Sequence, residues 1–204
     1  MIRVEQKPEP LTFDQEVRQP GLKFLRDCPS PNGVQFKKKE YWKKSAAELH
    51  SAYGGVCAFT CMYVMPPAST DHFLPKSLHP GQAYEWSNFR LAAPRVNGFK
   101  DNSIQVVDPF VVEPGWFVLD FPSCLVKPGA ELSALKKSQV KNSITILRLN
   151  DEHFVQERAN IMLMTALGKV GLGFLDERYP FLAIEIARQN IAERLHLIFK
   201  MRNN

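Results

Sequence analysis

Proline decides where this chain of 204 residues can build regular structure, because each one fixes its own φ, lacks an N–H and disfavours helix in the residue before it. Pro8, Pro10, Pro20, Pro29 and Pro31 all fall within the first 36 residues. Helix there is confined to a short piece around Leu22–Asp27, and the rest is expected to wrap as an arm. From Lys37 to about Ala52 the string KKKEYWKKSAAELHSA holds good helix formers, with Tyr41, Trp42, Ala46 and Leu49 able to share a face. Gly54 and Gly55 end it. The string VCAFTCMYVM, residues 56–65, is short, apolar and rich in β-branched and aromatic members, which predicts a strand or hairpin arm that Pro66 and Pro67 stop. QVVDPFVV and GWFVLDF predict two further strands turning at Pro114-Gly115. Past Pro128 the only proline is Pro180. The sequence there predicts helices over about 130–139, Asp151–Leu167 and Pro180–Met201, with Asn150 or Asp151 as a cap and Gly168, Gly171 and Gly173 closing the second. The pattern predicts an α+β fold, mostly helical, and a chain that is 45% hydrophobic is long enough for one compact unit with a sizeable core.

The formal net charge is +5, and its distribution is uneven. Lys and Arg outnumber Asp and Glu by 10 to 7 over residues 1–50, equal them at 4 and 4 over 51–112, and lead 12 to 10 beyond. A neutral centre flanked by basic segments suits an enzyme acting on a polyanion, because a metal supplies local positive charge while lysines elsewhere hold a phosphate backbone. Lys37, Lys38 and Lys39 with Lys43 and Lys44, and Lys136 and Lys137 with Lys141, are the backbone-contact candidates; solvated helix faces explain them equally well. No stretch has the length to span a bilayer and no leader pattern opens the chain, so the expected location is the cytoplasm, with no membrane partner. Cys28, Cys57, Cys61 and Cys124 then read as reduced thiols or metal ligands rather than disulfides.

Residues 70–108 have little periodicity and carry the densest polar chemistry, as functional loops do. Asp71-His72 is followed by Asn88 sixteen positions after His72, Asn97 nine further on, and Lys100 three beyond that. A neutral imidazole has the pKa to take a proton from water, so His72 is the candidate general base. In an extended segment Asp71 and His72 point to opposite faces, and Pro94 is suited to open a short helix that carries Asn97 and Lys100 on one side.

This constellation resembles the H-N-H, or ββα-metal, endonuclease motif, in which Asp-His is succeeded by N-L-x-x-L-C-x-x-C-[HN]-x-x-K; here the second half reads Asn88-Phe89-Arg90-Leu91-Ala92-Ala93-Pro94-Arg95-Val96-Asn97-Gly98-Phe99-Lys100. The likeness covers about 50 residues, from Cys57 to Asp108. It implies a small ββα-metal core, His72 and Asn88 as catalytic residues with Asn88 bracing the loop, Asp71 and Asn97 as ligands of Mg²⁺ or Mn²⁺, and Lys100, Lys76 and Arg95 as nucleic-acid contacts. Many relatives also hold a structural zinc with two C-x-x-C pairs. Here Cys57 and Cys61 are one residue too far apart and Ala93 and Val96 stand at the other two positions, which predicts no structural zinc and apolar packing in its place.

Residues 143–161, SITILRLNDEHFVQERANI, are similar to the tail of H-N-H proteins of bacterial anti-phage defence and retron-associated systems, some of which act with an ATPase partner. Asn150 as a helix cap and Arg158 as a surface residue explain the same segment blandly. The expected organisation is an amino-terminal arm and helix at 1–50, the nuclease core at 51–112, and a carboxyl-terminal strand pair and helices at 113–204. The expected function is metal-dependent endonucleolytic hydrolysis of DNA with the 3′ oxygen leaving; the alternative is a non-catalytic subunit that binds nucleic acid or a partner and keeps the motif for structure. A homo-oligomer would bring two nicking centres together, but no interface signature is legible.

Overall fold

The structure, a computed structural model, describes residues 1–200, so the expected helix end at Met201 lies outside the described residues. The chain divides into two compact units, each assembled from separated segments: residues 5–58 with 64–104, and residues 1–4, 59–63 and 105–204. The fold is α+β and mostly helical, with two small antiparallel sheets of two strands each. No helix among the described residues is long and apolar enough to cross a membrane.

In the first unit helix begins earlier than the prolines suggest. A π-helical turn at Asp14–Arg18 runs directly into α1, Gln19–Asp27, through Pro20. The Gln19 N–H reaches back five residues to the Asp14 carbonyl, and this wider turn relaxes the register just where proline can offer no N–H. The expected helix from Lys37 to Ala52 is also replaced. A short helix α2, Gly33–Lys37, capped reciprocally by Asn32 and Gln35, is followed by a 3₁₀ turn at Tyr41–Ser45 and α3, Ala46–Ala52. Phe13 and Val17 from the arm, Phe36, Trp42 and Leu49 from these helices, and Ala83, Tyr84, Trp86, Phe89 and Leu91 from the later segment form one buried cluster. Phe13 meets Trp86 and Phe89 edge-on at 5.4 and 5.7 Å. The arm is therefore part of the core and does not stand apart. Arg18, which pairs with Glu9, Asp14 and Glu85, adds a polar tie between the arm and the segment before the second strand.

Residues 56–65 form no strand. Cys61 takes a left-handed φ of 55°, which interrupts any ladder, and the apolar side chains bury without one. Regular structure resumes with β1, Ser69–His72, paired antiparallel with β2, Phe89–Ala92, and then α4, Pro94–Lys100, which Pro94 opens as the sequence predicts.

In the second unit QVVDPFVV forms no strand. Asp108 accepts a hydrogen bond from the Phe110 N–H and starts a 3₁₀ turn at Pro109–Val111. The sheet is instead β3, Phe117–Asp120, against β4, Leu125–Pro128, the latter within a stretch not expected to be strand. Helices α5, Ala134–Ile146, and α6, Glu152–Ala166, follow; Asp151 caps α6 and Asn150 does not. Asn150 uses its amide to bond both backbone groups of Val126, extending the edge of β4. Arg158 is buried rather than on the surface, with Nε donating to the Cys124 carbonyl at 2.7 Å and a terminal nitrogen donating to that of Leu149 at 2.9 Å. An unexpected short helix, α7, Leu172–Arg178, starts after Gly171 and takes in Gly173, and the last expected helix is interrupted: α8, Pro180–Arg188, ends before Asn190 at φ 50°, and a 3₁₀ turn then leads to α9, Leu195–Lys200.

One glycine makes the packing of the first unit testable. A Cβ added at Gly21 would land in the Tyr84 ring, whereas one added at Gly98 in α4 meets open space. Helix propensity alone favours alanine at both by up to about 1 kcal/mol. Gly21→Ala is expected to lose about 1–3 kcal/mol in urea unfolding through overpacking, while Gly98→Ala holds or gains stability. Equal gains at both positions would contradict the close α1–Tyr84 contact.

Candidate active site

Alternation along β1 puts Ser69 and Asp71 on one face and Thr70 and His72 on the other. α4 follows β2 after one residue, Ala93, and lays Asn97 and Lys100, three positions apart, against the Ser69 and Asp71 face. Asn97 Nδ2 donates to Ser69 Oγ at 2.5 Å. Lys100 Nζ donates to Asp71 Oδ1 at 3.1 Å and to the His72 carbonyl at 3.0 Å. The expectation that Lys100 meets phosphate is corrected by this placement: its side chain is 0% exposed, and its ammonium is committed inside the unit.

The other face receives His72 in an aromatic setting, edge-on to Trp42 at 4.8 Å and to Phe89 at 5.2 Å, with Phe89 directly opposite it in the ladder. Its Nε2 lies 2.9 Å from the Ala83 carbonyl. A carbonyl can only accept, so Nε2 carries the proton and the lone pair belongs to Nδ1. Asn88 holds the connection that supplies this carbonyl: its Oδ1 accepts from the Leu74 N–H, and its Nδ2 donates to the carbonyls of Leu74 and Gln82, the residue before Ala83. Asn88 thus bears on the imidazole through the loop, without a hydrogen bond of its own to the ring.

A cavity of about 330 Å³ opens here, lined in part by Asp71, His72, Lys76, Asn97, Asp101 and Asn102. Asp71, His72, Asn97 and Lys76 are therefore gathered at one place. Arg95 is exposed, stacks over Phe99 at 5.3 Å and lies outside the cavity lining. Lys76 is half-buried with its ammonium 5.3 Å above the Trp42 ring. Asp101 and Ser69 fall outside the motif that the sequence displays. Ser69 was findable, since it sits two positions before Asp71 and so on the same strand face; Trp42 and the Ala83 carbonyl come from distant turns and leave no local signal.

Charge is finely balanced in this space. Burial pushes the Asp71 carboxyl up, and Lys100, Arg90 and Lys76 pull it the other way. Burial lowers His72 to about 3, helped by the positive charges of Lys76 and Lys100 and opposed by its bond to Ala83. The Lys76 ammonium is pushed down by burial, with Glu40, Asp71 and Asp101 resisting. Asp71 Oδ2 is buried without a hydrogen-bond partner, which a carboxylate tolerates only at a cost of about 1–3 kcal/mol or more. Among the described residues no cluster of three or more His, Cys, Asp or Glu side chains could hold a metal. A cation here would draw on one carboxylate oxygen, Asp71 Oδ2, and on the Asn97 amide oxygen, left over once Nδ2 is given to Ser69. Two hard oxygens beside a polar cavity fit a small hydrated divalent cation. Cys57 and Cys61 are buried, form no disulfide and fall in different units of the chain.

No protein-family model and no curated protein matches the chain.

The buried imidazole has a thermodynamic signature. Its folded pKa lies below its unfolded value near 6.5, so its contribution is complete above that value and is lost as the pH falls from about 6.5 towards 3. His72→Gln keeps a donor for Ala83 but does not titrate. Measured by urea unfolding in a chelator, the stability of wild type relative to this variant should decline over that window; a difference independent of pH would show that the imidazole is not held neutral by burial.

Proposed function

We propose that this chain is a divalent-metal-dependent endonuclease of the H-N-H, ββα-metal type, hydrolysing phosphodiester bonds of DNA in the cytoplasm. The observation that carries the reading is that one strand–strand–helix run, residues 69–100, puts in the lining of a single cavity Asp71, with a buried unpartnered carboxylate oxygen, Asn97, and His72, an imidazole of defined tautomer. Those are the groups that phosphodiester hydrolysis needs near neutral pH: hard oxygens for a cation and a base for water.

Asp71 Oδ2 and the Asn97 amide oxygen would hold Mg²⁺ or Mn²⁺. Bound there, the ion supplies Lewis acidity towards the phosphoryl oxygens and the departing 3′ oxygen. His72 takes the proton of the attacking water on Nδ1, and its burial keeps that nitrogen unprotonated at physiological pH. Asn88 keeps the 74–83 loop in place so that Ala83 continues to orient the imidazole. Lys76, on the cavity wall, meets the phosphate, and Arg95 contacts the backbone farther along.

The likeness of residues 143–161 to defence-associated H-N-H proteins extends the proposal to an ATPase partner. Asn150 and Arg158 would not touch it, since both are engaged within the fold. Co-purification with the tagged chain, followed by an ATP-hydrolysis assay of the captured material, tests this part separately.

One observation favours a second reading, a binding subunit that keeps the motif for structure: the Lys100 ammonium already offsets the charge of the Asp71 carboxylate, so the motif holds together without a divalent cation. Supercoiled plasmid with Mg²⁺ or Mn²⁺ separates the two. Wild type is expected to nick or linearise it, a chelator to stop this, and His72→Ala and Asp71→Asn each to slow it by about 100-fold or more. Retention of DNA by all three proteins with no cutting by any selects the binding subunit.

A further inference from the structure

Lys100 is read from sequence as a phosphate contact, yet the structure gives its charge an internal task. Its ammonium has three N–H groups. One goes to Asp71 Oδ1 at 3.1 Å and one to the His72 carbonyl at 3.0 Å, and the head lies 5.7 Å from the Phe73 ring centre. Side-chain exposure is 0% for Lys100 and 2% for Asp71, so the head has no solvent into which it could swing. Oδ1 of Asp71 is thus taken up by the ammonium. Oδ2, buried and without a partner, is the only oxygen of that carboxylate open to another cation. Asn97 is limited in the same way, its Nδ2 being engaged by Ser69.

We propose that Lys100 is a positioning residue that sets cation choice: by occupying Asp71 Oδ1 it forces Asp71 to bind a metal through one oxygen, and so selects Mg²⁺ or Mn²⁺ over Ca²⁺. The chemistry follows from ligand number. Ca²⁺ takes six to eight oxygens and readily uses both oxygens of a carboxylate, whereas Mg²⁺ is octahedral, keeps several waters and is satisfied by one or two protein oxygens. A site confined to Asp71 Oδ2 and one amide oxygen suits the smaller ion. The neighbouring ammonium weakens binding of every divalent cation to a similar extent, so the choice between them comes from the oxygen that Lys100 occupies and not from its charge.

The inference rests on the metal-site reading above, and direct binding measurements separate the two. Mn²⁺ binding to the full chain is followed by electron paramagnetic resonance, with Mg²⁺ and then Ca²⁺ as competitors, for wild type, Lys100→Met, Lys100→Arg and Asp71→Asn. Wild type should bind Mn²⁺ and yield it to Mg²⁺ at least about 10-fold more readily than to Ca²⁺. Lys100→Met, with Oδ1 released, should lose most of that preference, Lys100→Arg should retain it, and Asp71→Asn should bind no Mn²⁺. An unchanged preference in a folded Lys100→Met overturns the role of Lys100 and leaves the metal site standing; absence of Mn²⁺ binding by wild type overturns the site itself. Should Lys100→Met not fold, water-proton relaxation of wild type with Mn²⁺ decides, three or more exchangeable waters being the expected result and two or fewer the contrary one.

Discussion

A lysine head without solvent must replace its hydration with fixed oxygens, and everything around the cavity is arranged by how Lys100 does so. Its two acceptors lie on consecutive residues of β1, the Asp71 carboxylate and the His72 carbonyl, so the end of α4 is pinned to one point of the strand. Removing one partner of a buried pair costs about 3–5 kcal/mol, because the other charge is stranded. The register of helix on strand is fixed by that penalty. With it come the Asn97 contact to Ser69 and the direction of the remaining Asp71 oxygen.

The opposite face of β1 is built from apolar material, and the two faces have complementary consequences. Trp42 and Phe89 exclude water from His72 while Ala83 offers it one acceptor, which holds the ring neutral and its tautomer defined. Two adjacent residues of one strand therefore receive opposite electrostatic treatment, Asp71 beside cations and His72 among rings. Chemistry at a phosphodiester uses both conditions together, an anionic oxygen and a neutral base at one opening. The aromatic cluster that supplies the second condition draws on the arm, three helical turns and β2, which is why so small a sheet is sufficient.

Local patterns in the sequence carried the site better than the fold around it. Pro94 as a helix opener, the three-residue spacing of Asn97 and Lys100, and the alternation of Asp71 and His72 are set by backbone geometry over a few residues. The Asp151 cap is of the same kind. What stayed hidden depends on contacts between distant segments. Lys100 reads as a phosphate contact until Asp71, 29 residues away, is brought beside it. Arg158 reads as surface until the Cys124 and Leu149 carbonyls surround its guanidinium. VCAFTCMYVM has the composition of a strand, but a left-handed Cys61 and division of the segment between two units prevent a ladder. Pro20 stops no helix, because a π-turn just before it relaxes the register, a device with no one-residue signature.

The metal site is the claim on which the catalytic reading stands or falls, and crystals grown with Mn²⁺ address it directly through the anomalous scattering of the ion. A single peak in the cavity, coordinated by Asp71 Oδ2 and the Asn97 amide oxygen with Lys100 still on Oδ1, is the result expected. No peak there at saturating Mn²⁺, or a peak that touches neither side chain, would contradict it.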